Sequence, residues 1–214
     1  MKYYFLLAMI YLEVIIMINR ISKMIAISLF RKKVIDENEL EIYIYGYEVL
    51  ISSIVDSLIV LIFAVIFHKT ILMLIFFTMF VTIRIYTGGY HADTFLMCKT
   101  VFIIICSFLI LTSKIEVYLI SMLFIMMFFN ISVFILAPVE NVNKLLTLNE
   151  KIKYRRISII LSVFWTVIAV ITYFNFIEIC RSIMLTAFII TFLMIVGEKK
   201  HRKEVAQYEK QQDC

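Results

Sequence analysis

An all-α, polytopic membrane fold is predicted by three features of this 214-residue sequence. It is 63% hydrophobic and only 17% charged, which leaves too little polar surface for a soluble domain of this length. Its apolar residues gather in runs on the scale of a bilayer. Its basic residues concentrate in alternate gaps between those runs. No Gly/Ser linker, low-complexity stretch or fixed-period repeat divides the chain, so one membrane-embedded domain over 17–214 is expected. Four cysteines without regular spacing make neither a disulfide framework nor a zinc ribbon. No cofactor, metal or nucleic-acid partner is expected.

About 20 mostly apolar residues are needed for a spanning helix. Residues 49–67, 117–137 and 157–176 meet that length, while 71–83, 101–112 and 183–196 fall short of it. In lipid every backbone polar group must be satisfied within the segment, so about six apolar helices are predicted. The short ones either span with their ends covered by protein or are partly re-entrant.

Residues 1–16 read in two ways: as an extra apolar membrane segment, broken by Glu13, or as an extension ahead of a start at Met17. A signal peptide is disfavoured, since only Lys2 precedes the run and no small-residue cleavage site follows. From 19 to 30, Ile21, Met24, Ile25 and 27–30 mix with Arg20, Ser22 and Lys23. That mixture predicts an N-terminal amphipathic helix lying on the membrane surface. The stretch VIDENELEIY then offers Asp36 or Asn38 as a helix cap.

Orientation follows from charge. With six crossings and a cytoplasmic N-terminal side, the inner regions hold Arg20, Lys23, Arg31, Lys32, Lys33, Arg84, Lys99, Lys144, Lys151, Lys153, Arg155, Arg156, Lys199, Lys200, Arg202, Lys203 and Lys210. The outer turns hold Lys69, Lys114 and Arg181. A split of 17 to three obeys the positive-inside rule. Both termini and the connection near residue 90 are then cytoplasmic.

That connection, RIYTGGYHADTFLMC (84–98), holds two of the four glycines, a histidine and a cysteine. The Gly88-Gly89 pair permits positive φ and close backbone approach, ending one helix; Asp93 or Thr94 then caps the next. On a straight helix His91 and Cys98 would lie about 10 Å apart along the axis. A nucleophile and its base need roughly 3 Å, so the pair can react only if the chain bends between them. Beside imidazole, a thiol gives up its proton more readily, and a helix N-terminus stabilises the thiolate. Arg84 is a candidate for a thiolate, an acidic substrate group or lipid phosphate, and Asp93 for a third orienting group. A purely structural His and Cys remains the alternative, and two ligands do not make a zinc shell. Asp56 lies inside an apolar segment, where a charge is costly and usually partnered. Cys106 reads as core, Cys180 as outer and Cys214 as terminal, while His68 and His201 read as solvated or headgroup-facing.

The motif resembles the signature of the accessory gene regulator B family, membrane-embedded cysteine endopeptidases of Gram-positive quorum sensing. Arg84, Gly88, Gly89, His91 and Cys98 fill its arginine, glycine pair, histidine and cysteine positions. The likeness extends to IDENELEIYIYGYEVLISSI, with Gly46, and to APVENVNKLLTLNEKIKYRR, from about Met17 to the basic tail. Leu145-Leu146 stand where a second proline is expected. The resemblance implies that Cys98 and His91 remove the C-terminal tail of a small precursor peptide through a thioester. Ring closure to a thiolactone or lactone follows, giving a cyclic signal. The implied partners are that peptide, with its amphipathic start and acidic tail, membrane lipids, and a second copy in a homodimer. Lys151, Lys153, Arg155 and Arg156 in the basic loop 144–156 would face headgroups or attract the tail. A non-enzymatic small transporter or scaffold, with Gly-Gly as a hinge, is the competing reading.

Overall fold

Each of the six apolar segments folds as a helix; five of the helices are longer than the segment that predicted them, and the one at 117–137 is slightly shorter, Leu119–Leu136. The computed structural model describes residues 19–89, 95–140 and 146–212. Helix α1 covers 19–31. It is followed by α2 (Leu40–Ile66), α3 (Thr70–Thr87), α4 (Phe95–Leu111), α5 (Leu119–Leu136), α6 (Leu148–Asn175) and α7 (Ile177–Gln212). Two 3-10 turns, Glu37–Glu39 and Thr112–Lys114, link them. Among the described residues there is no strand, and the single β-bridge joins Gly88 to Val139.

Among the described residues, five helices are long and apolar enough to cross a membrane: α2, α3, α5, α6 and the Ile177–Lys203 part of α7. The sixth, α4, has 17 residues, roughly 26 Å at 1.5 Å per residue against a ~30 Å hydrocarbon layer. The segment 183–196 that looked short sits inside a 36-residue helix. Length read from apolar residues alone stops at the first charge, whereas the helix continues into the aqueous region.

By its contacts the chain forms two compact units. The first comprises residues 1–60 and 92–103, of which 1–18 and 92–94 lie outside the described residues. Here Ser22 and Ala26 are buried on α1, four apart and so on one face. Ile21, Met24, Ile27 and Phe30 are exposed on it, next to Arg20, Lys23 and Arg31. That is the face expected of a helix on a lipid surface. Asn19 Nδ2 donates to Glu48 Oε1 at 2.5 Å. The Asp36 N–H donates to Glu39 Oε2, so the predicted cap region organises the turn ahead of α2.

The second unit comprises 61–91 and 104–214, and α7 packs there against α3, α5 and α6. The buried stripes recur at helical spacing: Met73, Phe76, Phe80 and Ile83 on α3; Met122, Met126, Phe129 and Val133 on α5; Ile183, Ala187, Ile190 and Met194 on α7. Steps of three and four keep each stripe on one side of its helix. Several hydroxyls enter this core at little cost because carbonyls satisfy them, whereas Thr191 Oγ1 on α7 is buried without a hydrogen-bond partner among the described residues. Ser158 Oγ donates to Tyr154 O, Thr172 Oγ1 to Ile168 O, and Ser182 Oγ reaches across to Leu72 O on α3 at 2.8 Å. Cys106 and Cys180 are both fully buried; Cys106 is core, as expected, and Cys180 is packed as well.

Candidate active site

The glycine pair does what its sequence predicts, and the partner it approaches is now visible. Helix α3 stops at Thr87, and Gly88 and Gly89 follow with φ of 67° and 129°. The Gly88 N–H still donates to Arg84 O. A Cβ on Gly88 would lie 2.2 Å from the Val139 carbonyl oxygen, and the Val139 N–H donates to Thr87 O at 2.8 Å. Glycine is therefore required twice over, for conformation and for space. A Cβ on Gly89 would stand at ordinary contact distance, 3.6 Å, from Leu193 O of α7.

The segment that docks on Gly88 is itself tied down. The Ala137–Pro138 peptide is cis. Beyond it, Glu140 pairs with Lys151 at 2.8 Å and accepts the Leu146 N–H at 3.1 Å. Partial burial pushes the Glu140 carboxyl up. Its bonds to Lys151 and Leu146, with His201 at longer range, outweigh that and hold it below the usual carboxylate range. His201 is not the solvated side chain expected, because its Nδ1 is buried without a hydrogen-bond partner among the described residues. Neither Glu140 nor Val139 was singled out by sequence.

His91 and Asp93 lie outside the described residues, as does Thr94. Cys98 is described as the fourth residue of α4, in its first turn, but its side chain is not described. Arg84 sits in the last turn of α3 with its guanidinium 5.2 Å from the centroid of the Phe80 ring.

The basic residues expected in a loop are on a helix instead. Thr147 and Glu150 form a capping box, which starts α6 at Leu148 and places Lys151, Lys153, Arg155 and Arg156 on its first turns. TLNE was the available signal; the charge run obscured it. Lys151 is engaged by Glu140, and Arg155 by the Phe134 carbonyl at 2.9 Å and the Phe134 ring. Lys153 and Arg156 are exposed.

Lys99 differs most from its expectation as a cytoplasmic loop charge. It is 2% exposed, its ammonium 2.5 Å from Asp56 Oδ1, and it donates to Ser52 O at 2.9 Å. Asp56 is thus partnered, as an acid inside an apolar segment should be. A cavity of about 230 Å³ lies at the other end of α3 from the glycines, lined by His68, Lys69, Thr70, Glu178 and Arg181 among others. It touches none of the predicted site residues.

Residues 17–195 match the family model of Accessory gene regulator B. The chain belongs to that family. It is also 30% identical over 173 residues to "Putative AgrB-like protein 2" of Clostridium perfringens (strain 13 / Type A), covering 74% of this chain and 80% of the relative. No solved structure matches the chain significantly. Membership of the accessory gene regulator B family assigns the chain to quorum-sensing peptide processing, with a precursor peptide as substrate. With its five spanning-length helices, this member is a multi-pass membrane protein.

Proposed function

We propose that the chain is a cysteine endopeptidase that removes the C-terminal tail of its precursor peptide and helps to close the remainder into a ring. One observation carries the reading. Helix α3 ends at Thr87, capped by Gly88, α4 is described from Phe95, and Cys98 is its fourth residue. In this reading His91, which lies between the two helices in sequence, is the base for Cys98. A thiol in a first turn also gains from the positive end of the helix dipole.

In this mechanism His91 takes the Cys98 proton, and the thiolate attacks a carbonyl at the start of the tail. The C–N bond breaks, His91 returns the proton to the leaving amine, and the peptide is held as a thioester on Cys98. A cysteine thiol or serine hydroxyl within the peptide then gives its proton to His91 and attacks that carbonyl, expelling the Cys98 thiolate and forming a thiolactone or lactone. Thiol for thiol is nearly energy-neutral, so water must be kept out. The catalytic connection faces the cytoplasm in this reading. The exposed Lys153 and Arg156 attract the acidic tail, while Lys151 is engaged by Glu140 and Arg155 by Phe134.

The test is co-expression with a precursor from a neighbouring short reading frame that encodes an amphipathic start, a Cys or Ser core and an acidic tail. Peptide length is followed by mass spectrometry. Wild type shortens the peptide, and Cys98→Ala and His91→Ala leave it intact. Full processing by Cys98→Ala would sink the reading in favour of a transporter or scaffold.

A further inference from the structure

Within the first unit, an ion pair stands one residue from the nucleophile assigned above. Lys99 Nζ bridges Asp56 Oδ1 and Ser52 O, two acceptors four apart on α2 and hence one above the other on a single face. Asp56 is ten residues from the end of α2 at Ile66, roughly 15 Å, which is near the middle of a ~30 Å hydrocarbon layer. At that depth a lone ammonium or carboxylate is costly, and an apolar pair would join the helices as well. What an ion pair with two fixed acceptors adds is register: α4 can neither slide along α2 nor rotate without losing a contact. Consecutive Cα atoms are about 3.8 Å apart and turn 100° around a helix, so holding Lys99 also fixes where residue 98 leaves the backbone.

We propose that Asp56 and Lys99 are positioning residues for Cys98, a latch of α4 on α2 that sets the thiol's place for attack. The proposal rests on the reading of Cys98 as nucleophile. It assigns Lys99 a role other than the topogenic charge its sequence position suggests, and Asp56 a role other than acid or base.

The experiment uses the full chain in membrane vesicles, with Cys106→Ala, Cys180→Ala and Cys214→Ala leaving Cys98 as the thiol. Three quantities are read per molecule of membrane-inserted protein: the N-ethylmaleimide labelling rate, its pH profile, and the processing rate of the co-expressed precursor. Lys99→Met and Asp56→Asn are expected to slow processing about ten-fold or more, the scale of a small misplacement at a reacting centre, and to shift the labelling profile. The exchange Asp56→Lys with Lys99→Asp, or the milder Lys99→Arg, should restore most of both. If the single variants insert and keep wild-type labelling and processing, the latch is refuted. It is equally refuted if they insert poorly but the surviving molecules label and process normally, because the pair then serves folding alone. Processing that survives Cys98→Ala would remove the endopeptidase reading instead, while the labelling profiles would still decide the latch.

Discussion

Helices α2 and α7 each hold an 18-residue window of high mean hydropathy, 2.7 and 2.3, yet 11% of the first window is buried and 67% of the second. Hydropathy thus says that both can live in lipid and nothing about which one is surrounded by protein. The difference lies in side-chain size and hydrogen bonding. The buried face of α7 carries Cys180, Ser182, Thr186, Ala187 and Thr191, small groups that let neighbouring backbones come close. Between membrane helices, packing and hydrogen bonds drive association because lipid is as apolar as leucine. Helix α2 instead exposes Leu50, Ile54, Leu58, Leu61 and Val65, bulky groups suited to acyl chains.

Glycine substitution should separate the two environments most widely. At Gly88 any side chain meets a φ of 67° and the Val139 oxygen at 2.2 Å, and neither partner is a flexible side-chain tip. Gly88→Ala is expected to cost about 3 kcal/mol or more, read as loss of monodisperse protein after detergent extraction. Gly46 on α2 has nothing within 4 Å of its would-be Cβ. There Gly46→Ala should be neutral or stabilise by up to about 1 kcal/mol. Equal behaviour of the two variants would mean that the Gly88–Val139 approach is not part of the working structure.

A smaller effect is expected from crowding. Ala187 on α7 is fully buried, so Ala187→Leu should destabilise by about 1–3 kcal/mol. Leu58→Ala on α2, at a residue 52% exposed, should stay within about 0.5 kcal/mol in thermal aggregation assays. A loss above that range at Leu58 would show that another protein surface, such as the second copy expected from sequence, covers this face.

Much of the architecture was legible because apolar runs and glycine pairs are local signals. The six segments, the end of α3 at the glycines and the core place of Cys106 follow from composition and conformational preference alone. Contacts between distant parts of the chain were not legible. Val139 lies some fifty residues from Gly88, and nothing local in APVE announces where its carbonyl will rest. Charge was the other source of error, because it was read as a mark of solvent. Lys99 is buried on Asp56. The run 151–156 is the first turns of α6, and the Glu198–Arg202 pair, spaced i,i+4, shows that the basic tail is still helix. Capping boxes and i,i+4 pairs are signals that correct such readings.

Beyond its apolar stretch α7 reaches the charged cluster around Glu140, where packing gives way to electrostatics and the smallest effect is expected. The Glu140 carboxyl is held below its ordinary value of 4.5, so its favourable contribution is present above that value in the folded protein. It is lost only as pH falls through the lowered one. Between pH 7 and 5 the loop root should therefore be unchanged, and at lower pH the Leu146 amide, whose hydrogen bond Glu140 accepts, should lose protection from exchange with solvent deuterium relative to an unprotected amide at the same pH. Lys151 is 43% exposed, and exposed pairs contribute at most about 1 kcal/mol, so the step will be shallow. Glu140→Gln should remove it, giving fast Leu146 exchange at every pH while leaving the Val139 amide, bonded to Thr87 O, protected. Were Val139 to lose protection as well, the Glu140–Lys151 pair would be holding the glycine contact in place. The packed face of α7 would then depend on its charged end.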